Sequence, residues 1–397
     1  MSLNITEPLT GTSLFWSKGF RPFFLAAAGY AVVTMLMWAA ALFYGFNMDT
    51  GGLSYFQWHA HELLYGYGGA VIAGFLLTAV ITWTGRDTLS GFGLQFIFVI
   101  WLCARIGWLI GGVWIWLGAI ADGLFWLALM VAVARPVVKV KQWRQLGILA
   151  KLIILFSAHI LFVLDALALM PGAAYVAIYI GLFTVIGLIL VMLRRVYPFF
   201  VKAASSGAVE LTNPLWVDRS SLVLFVVFMV VFFIWPKSLL MPATAGAIGL
   251  VLLVRLLNWF DGFLWTAPLL WSLYLSYAFI VLGCWMFALS YWYPELHYLA
   301  IHAWSYGGFG MATLGMLVRV SIGHSGHNVR AKRPWMWLVF VSLVIGVLLR
   351  VISPLIWPEY ASEVLMLSQI AWLSSFTIVF YNLVPLLTKN TPIATGR

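Results

Sequence analysis

WHAHELLYGYGGAVIAGFLLTAV, residues 58–80, opens with His59, His61 and Glu62 and then runs on through about eighteen almost wholly apolar residues. An apolar stretch of about 20 residues spans the hydrocarbon core of a bilayer. Ionisable groups are costly there and face the protein interior with a partner. Two imidazoles and a carboxylate at the mouth of such a helix therefore point to a membrane protein with a polar site inside it. The rest of the chain agrees. Apolar residues make up 64% of the 397 positions, charged residues 9%, and mean hydropathy is +1.02. A soluble fold of this size needs far more polar surface. Twelve stretches have spanning length, near 22–44, 62–83, 92–112, 113–134, 147–170, 173–193, 220–235, 241–257, 267–289, 298–320, 335–352 and 364–386. The expected fold class is an all-α polytopic membrane protein with twelve transmembrane helices. No basic segment followed by a short apolar core and a cleavage site is visible, so no cleaved leader is expected.

The net charge of +10 is a topology signal. With twelve spans both termini share one side, and nineteen of the 22 Lys and Arg fall on it, including the runs at 135–151 and 330–333. The opposite loops hold only Lys237 and Arg350, and Arg105 lies within the third span. Positive charge stays on the cytoplasmic side, so both termini are expected in the cytoplasm, with the bases near anionic lipid. Nucleic acid is not an expected partner. Cys103 and Cys284 both fall inside spans and form no CxxC site, which suits small apolar packing residues.

The chain reads as one membrane domain, 1–397, with an internal echo. His61, Tyr65, Gly66, Gly69 and Gly74 match His302, Tyr306, Gly307, Gly310 and Gly315, each 241 residues on. The displacement is eight spans, which suggests three four-helix units, 14–134, 147–257 and 267–388, with pseudo-symmetry. Small residues every fourth position allow close helix packing; they would equally admit a flat ligand.

Four of the seven histidines, His59, His61, His297 and His302, lie at one depth on the two echoed spans. Neutral imidazole is the commonest metal ligand. Two histidines on different helices suit opposite sides of one iron, and His61 with His302 is the pair expected for a six-coordinate haem. His59 and His61 diverge by about 200° on a regular helix, so they serve different sites. Glu62 is open to three roles: oxygen ligand, partner of an imidazole, or proton carrier. His159, inside the fifth span, is a ligand or proton candidate, and Asp122 is a candidate for a proton-accessible cavity. Asp165 lies six positions beyond His159 and points away from it. Arg105 and Arg350, 245 residues apart on similar faces, are expected to bind carboxylates such as haem propionates. His324 and His327, among bases, read as a solvated loop.

The chain resembles the NnrS family of bacterial membrane proteins. The resemblance rests on FRPFFLAAAGYA at 20–31, the opening stretch at 58–80, TGRDTLSG at 84–91, RRVYPFF at 194–200 and HAWSYGGFGMATLGMLVRVSIGHSG at 302–326. It implies twelve spans, haem b and copper as cofactors, a role in nitric oxide handling or resistance to nitrosative stress, and a place in the bacterial cytoplasmic (inner) membrane. An electron donor of unknown identity is a further expected partner, and the enzymatic activity stays open. A coarser resemblance is to the twelve-span subunit of haem-copper oxidases, which binds haem between histidines of its second and tenth helices. The sixth to eighth spans here lack the copper histidines of that plan. Copper is then left with His59, His297 or His159, with Glu62 nearby. Two alternatives remain: a transporter of copper, haem or a small solute, and an assembly scaffold.

The orientation is testable by cysteine labelling in a variant lacking Cys103 and Cys284. In intact cells, Lys237→Cys should react with a membrane-impermeant maleimide and Gln142→Cys should not. The reverse pattern would overturn the assignment.

Overall fold

The computed structural model describes residues 14–389. Among these the chain is helical with no strand. The chain ends, which the charge asymmetry assigns to the cytoplasm, lie outside the described residues. Twelve long helices follow in order: α1 (Phe20–Tyr44), α2 (Tyr55–Thr84), α3 (Gly91–Ile110), α4 (Ile115–Lys139), α5 (Leu146–Ala166), α6 (Ala173–Ala204), α7 (Leu215–Ile234), α8 (Leu240–Asn258), α9 (Pro268–Leu289), α10 (296–324), α11 (Pro334–Val351) and α12 (Ala361–Thr388). Each occupies the place of one expected span. Eleven are long and apolar enough to cross a membrane. α10 is the exception, because five glycines and its His, Ser and Arg side chains lower its hydropathy.

α2 starts at Tyr55, seven residues before the expected 62. The cause is a local polar signal ahead of the apolar run. The Ser54 side chain accepts from Gln57 N–H, and the Gln57 side chain accepts from Ser54 N–H. This capping box satisfies two orphan backbone groups of the first turn. α1 and α2 both end on a glycine in the left-handed region, Gly45 (φ 64°) and Gly85 (φ 63°), the conformation that closes a helix C-terminus.

Neither α2 nor α10 is a regular α-helix throughout. A π segment interrupts α2 at Glu62–Tyr67 and α10 at Ala303–Gly310. Both begin directly after the echoed histidines, His61 and His302. A π segment is rare and commonly marks a functional site.

The chain divides into two compact units. Unit 1 comprises the chain up to Gly181, Val320–Asn328 and the chain from Val379 on. In it α1 packs on α2, α3 on α4, and α4 on both α2 and α5. Unit 2 comprises Leu182–Arg319 and Val329–Ile378. There α8 packs against α7 and α9, and α10 lies between α9 and α11.

The echoed glycines are packing positions in both units. A Cβ on Gly74 would lie 2.6 Å from Phe24, one on Gly307 2.6 Å from Phe279, and one on Gly310 2.8 Å from Trp372. The α3 and α4 backbones also approach each other closely. A Cβ on Gly107 would run into the Gly118 backbone and lie 2.7 Å from Trp114 O. Gly107→Ala should therefore cost about 1–3 kcal/mol, the range for overpacking a tight contact, seen as a lower unfolding midpoint in detergent. Gly123→Ala, where a Cβ would meet nothing within 4 Å, should be neutral. Equal midpoints for the two variants would refute the close contact.

Candidate functional site

In unit 1 the first two turns of α2 are regular, so His59 and His61 diverge as their spacing demands. His59 stacks on Trp38 at 4.5 Å and 17° between ring planes. His61 points the other way, into a fully buried cluster with Glu62, Arg105, Asp122 and His159, each at most 1% exposed.

Arg105 organises the acids. Its NH1 donates to Glu62 Oε2 at 2.9 Å and Oε1 at 3.0 Å, and its NH2 donates to Asp122 Oδ1. Trp108 Nε1 donates to Asp122 Oδ2 at 2.8 Å, and the Tyr30 hydroxyl donates to Glu62 Oε2. The guanidinium also lies 5.8 Å from the Tyr30 ring centre and 6.0 Å from that of Trp101. Gly66 makes room for it: a Cβ there would lie 2.6 Å from Arg105 NH1 and 2.7 Å from Tyr30 Cε1.

The histidines follow from this. Glu62, which receives donors from Arg105 and Tyr30, is an acceptor-only carboxylate. Its Oε1 lies 2.7 Å from His61 Nδ1, so Nδ1 carries the proton and Nε2 presents a lone pair. That nitrogen faces His159 Nδ1 at 3.3 Å and Asp122 Oδ2 at 3.9 Å. One donor atom from each of His61, Asp122 and His159 lies within 4.8 Å of the others. Around a metal at about 2.0–2.1 Å from its nitrogen ligands, tetrahedral donors stand about 3.3 Å apart. The two imidazoles already have that spacing, and Asp122, 3.9 Å from His61 Nε2, stands further out and has to move inward. The opposite nitrogen of His159, Nε2, is buried without a hydrogen bond of ordinary geometry, with the Ala119 backbone beside the ring. A carboxylate on the far side of a ligating imidazole fixes its tautomer and raises its basicity, and Glu62 is placed to do this for His61.

Apolar side chains close the site. Phe162 stacks on the His61 ring at 4.2 Å and 15°, and Trp108 and Tyr65 lie 4.7 and 5.1 Å away. Leu53, Ile115, Ala166, Ala174 and Ala177 pack in the same core.

Asp122 stands beside His61 and His159 in the buried cluster, a grouping that its position in the sequence did not show. Tyr30 and Trp108 carried no sequence signal, since aromatic residues are common throughout this chain. Arg105 gives its NH1 and NH2 donors to Glu62 and Asp122, and its Nε is buried without a hydrogen bond. Both nitrogens of His61 face groups of unit 1, Glu62 and His159. Asp165 accepts from Ala174 N–H at 2.8 Å, at the start of α6.

Unit 2 holds the other echoed residues. His302 Nδ1 donates to Tyr298 O at 2.7 Å, and Arg350 NH2 donates to His302 Nε2 at 3.2 Å. His297 stacks on Phe232 at 6.0 Å and 19°. His324 and His327 lie at the end of α10 and in the loop beyond it.

Arg105→Ala would leave two carboxylates buried against neutral imidazoles. Breaking such a network from one side costs about 3–5 kcal/mol, so the variant should unfold well below the parent in detergent. Adding Glu62→Gln and Asp122→Asn to it should recover part of the loss. An Arg105→Ala variant as stable as the parent would show that the acids are not held by that charge.

The NnrS protein family matches residues 14–390. No curated protein matches the chain. With the family covering nearly the whole of the described chain, the protein belongs to the NnrS family.

Proposed function

We propose that this membrane protein handles nitric oxide, or a species derived from it, at a copper ion held by His61, His159 and Asp122. The observation that carries the reading is the convergence of two imidazoles and a carboxylate, fully buried, with a second carboxylate behind one imidazole. Imidazole donors suit copper, zinc, iron and nickel alike, and the family resemblance implies copper among them. Family membership supplies the link to nitric oxide.

A bound copper ion would supply a coordination position for a small diatomic ligand and a one-electron exchange. The chain's own residues do the rest. Glu62 holds the His61 proton on Nδ1 and leaves Nε2 free to coordinate. Arg105 and Trp108 donate to Asp122 and hold its carboxyl group beside the same point. Phe162, Trp108 and Tyr65 exclude water, and a dry site strengthens every electrostatic contact inside it. Nitric oxide is small and uncharged, so the apolar shell is no barrier to it.

Haem b belongs to the proposal as a second cofactor, and the single Nε2 lone pair of His61 would serve either that group or the copper, not both. The reading places the protein in the bacterial cytoplasmic membrane with both termini inside, and its electron donor is unidentified.

Metal analysis of protein purified after growth with added copper tests the site. The parent should hold close to one copper per chain. His159→Ala and Asp122→Asn should each lower the content about tenfold or more, and Glu62→Gln by the 10–100-fold typical of a residue that orients a ligand. Nitric oxide added to the reduced parent should change the copper paramagnetic signal on reoxidation. Copper content unaffected by His159→Ala would overturn the site. Net copper movement into proteoliposomes, dependent on the same residues, would favour a transporter.

A further inference from the structure

α2 and α10 give His61 and His302 similar local settings. Each histidine is the last α-helical residue before a π segment. Each is followed, four positions on, by a tyrosine whose hydroxyl donates to a backbone carbonyl: Tyr65 to Ala177 O at 3.3 Å, Tyr306 to Ser368 O at 3.0 Å. An arginine from the next helix reaches the same turn, Arg105 from α3 to Glu62 and Arg350 from α11 to His302.

The acids differ. In unit 1, Glu62 and Asp122 together accept the guanidinium donors. In unit 2, the residue after His302 is Ala303, fully buried, and the counterpart of Asp122 is Glu363 by the 241-residue displacement of the histidines or Leu367 by the 245-residue displacement of the arginines. Glu295, Glu359 and Glu363 lie in or beside the neighbouring loops, yet among the described residues none of them forms an ion pair with Arg350. Unit 2 has kept the guanidinium, but no carboxylate of the described residues pairs with it.

Arg350 makes one hydrogen bond among the described residues, from NH2 to His302 Nε2. It is half-buried, and none of its nitrogens is both enclosed and unpaired, so its remaining N–H donors face open space. The guanidinium fork matches a planar pair of oxygens. A charge that is partly withdrawn from water is stabilised by a counter-ion at close range.

The geometry points to an anion site at Arg350 in unit 2, taking a planar XO2− monoanion whose oxygens replace the carboxylate oxygens that the chain itself supplies in unit 1. This proposal does not depend on the copper site proposed in unit 1. The anion has two sources, a free ion of formate or nitrite size, or a carboxylate carried by an apolar molecule.

Calorimetric titration of the full-length protein in a neutral maltoside detergent, at constant ionic strength, tests the site with formate, nitrite, hexanoate and sulfate. Formate and nitrite should bind, and sulfate, tetrahedral and doubly charged, should bind at least about tenfold more weakly. Formate binding as tightly as hexanoate identifies a free ion; tighter hexanoate binding identifies a carboxylate on an apolar carrier. Arg350→Gln should weaken binding at least about tenfold. Ala303→Glu supplies the carboxylate found in unit 1. It should abolish binding of the added anions and raise the unfolding midpoint, and it decides the matter if Arg350→Gln does not fold. The site is overturned if the parent binds none of the anions, if sulfate binds as tightly as formate, or if folded Ala303→Glu binds formate like the parent.

Discussion

Arg105 stands between Glu62 and Asp122, all three withdrawn from bulk solvent. A carboxylate withdrawn from water without a partner costs several kcal/mol, and two side by side cost more. One guanidinium on α3 resolves both, and in doing so it ties α2, α3 and α4 together at one point. Several local features serve that contact. Gly66 has no side chain because Arg105 and Tyr30 occupy the space. The π segment opens at Glu62, the residue that must reach Arg105. Trp108, on the same face of α3 as Arg105, closes the remaining oxygen of Asp122.

The imidazoles inherit their roles from this arrangement. Because Glu62 is kept as a carboxylate, His61 carries its proton on Nδ1, and the lone pair of Nε2 faces His159 and Asp122. The direction of that lone pair is set one shell away from the donors themselves. Two carboxyl groups share one guanidinium in the buried cluster, and the proposed cation would add positive charge beside them. The surrounding rings make each of these interactions stronger than it would be beside water.

Unit 2 shows what the same scaffold does without the acids. α10 repeats the π interruption, the tyrosine four residues after the histidine, and the arginine from the next helix. Yet Ala303 replaces Glu62, and Arg350 is left with an imidazole as its only acceptor among the described residues. In one case the polar side chains close on each other; in the other a cationic group stays open. The glycines, by contrast, do the same packing work in both units, against Phe24 in one and Phe279 and Trp372 in the other.

Twelve helices were legible in the sequence because crossing a bilayer demands about 20 apolar residues each, a signal local to each segment. His61, Glu62, Arg105 and His159 stood out for the same reason: an ionisable group in an apolar span is conspicuous. The start of α2 at Tyr55 was missed because Ser54 and Gln57 signal it by capping and not by apolarity. Which of the conspicuous residues meet was not in the sequence. His61, Asp122 and His159 come from three helices separated by about sixty and forty residues, and their convergence depends on how α2, α4 and α5 pack. The repeat drew His61 toward His302, its counterpart in sequence. Tertiary packing brings His159 beside it, because a buried polar group must be satisfied at hydrogen-bond distance, and only the packed helices decide which groups stand that close.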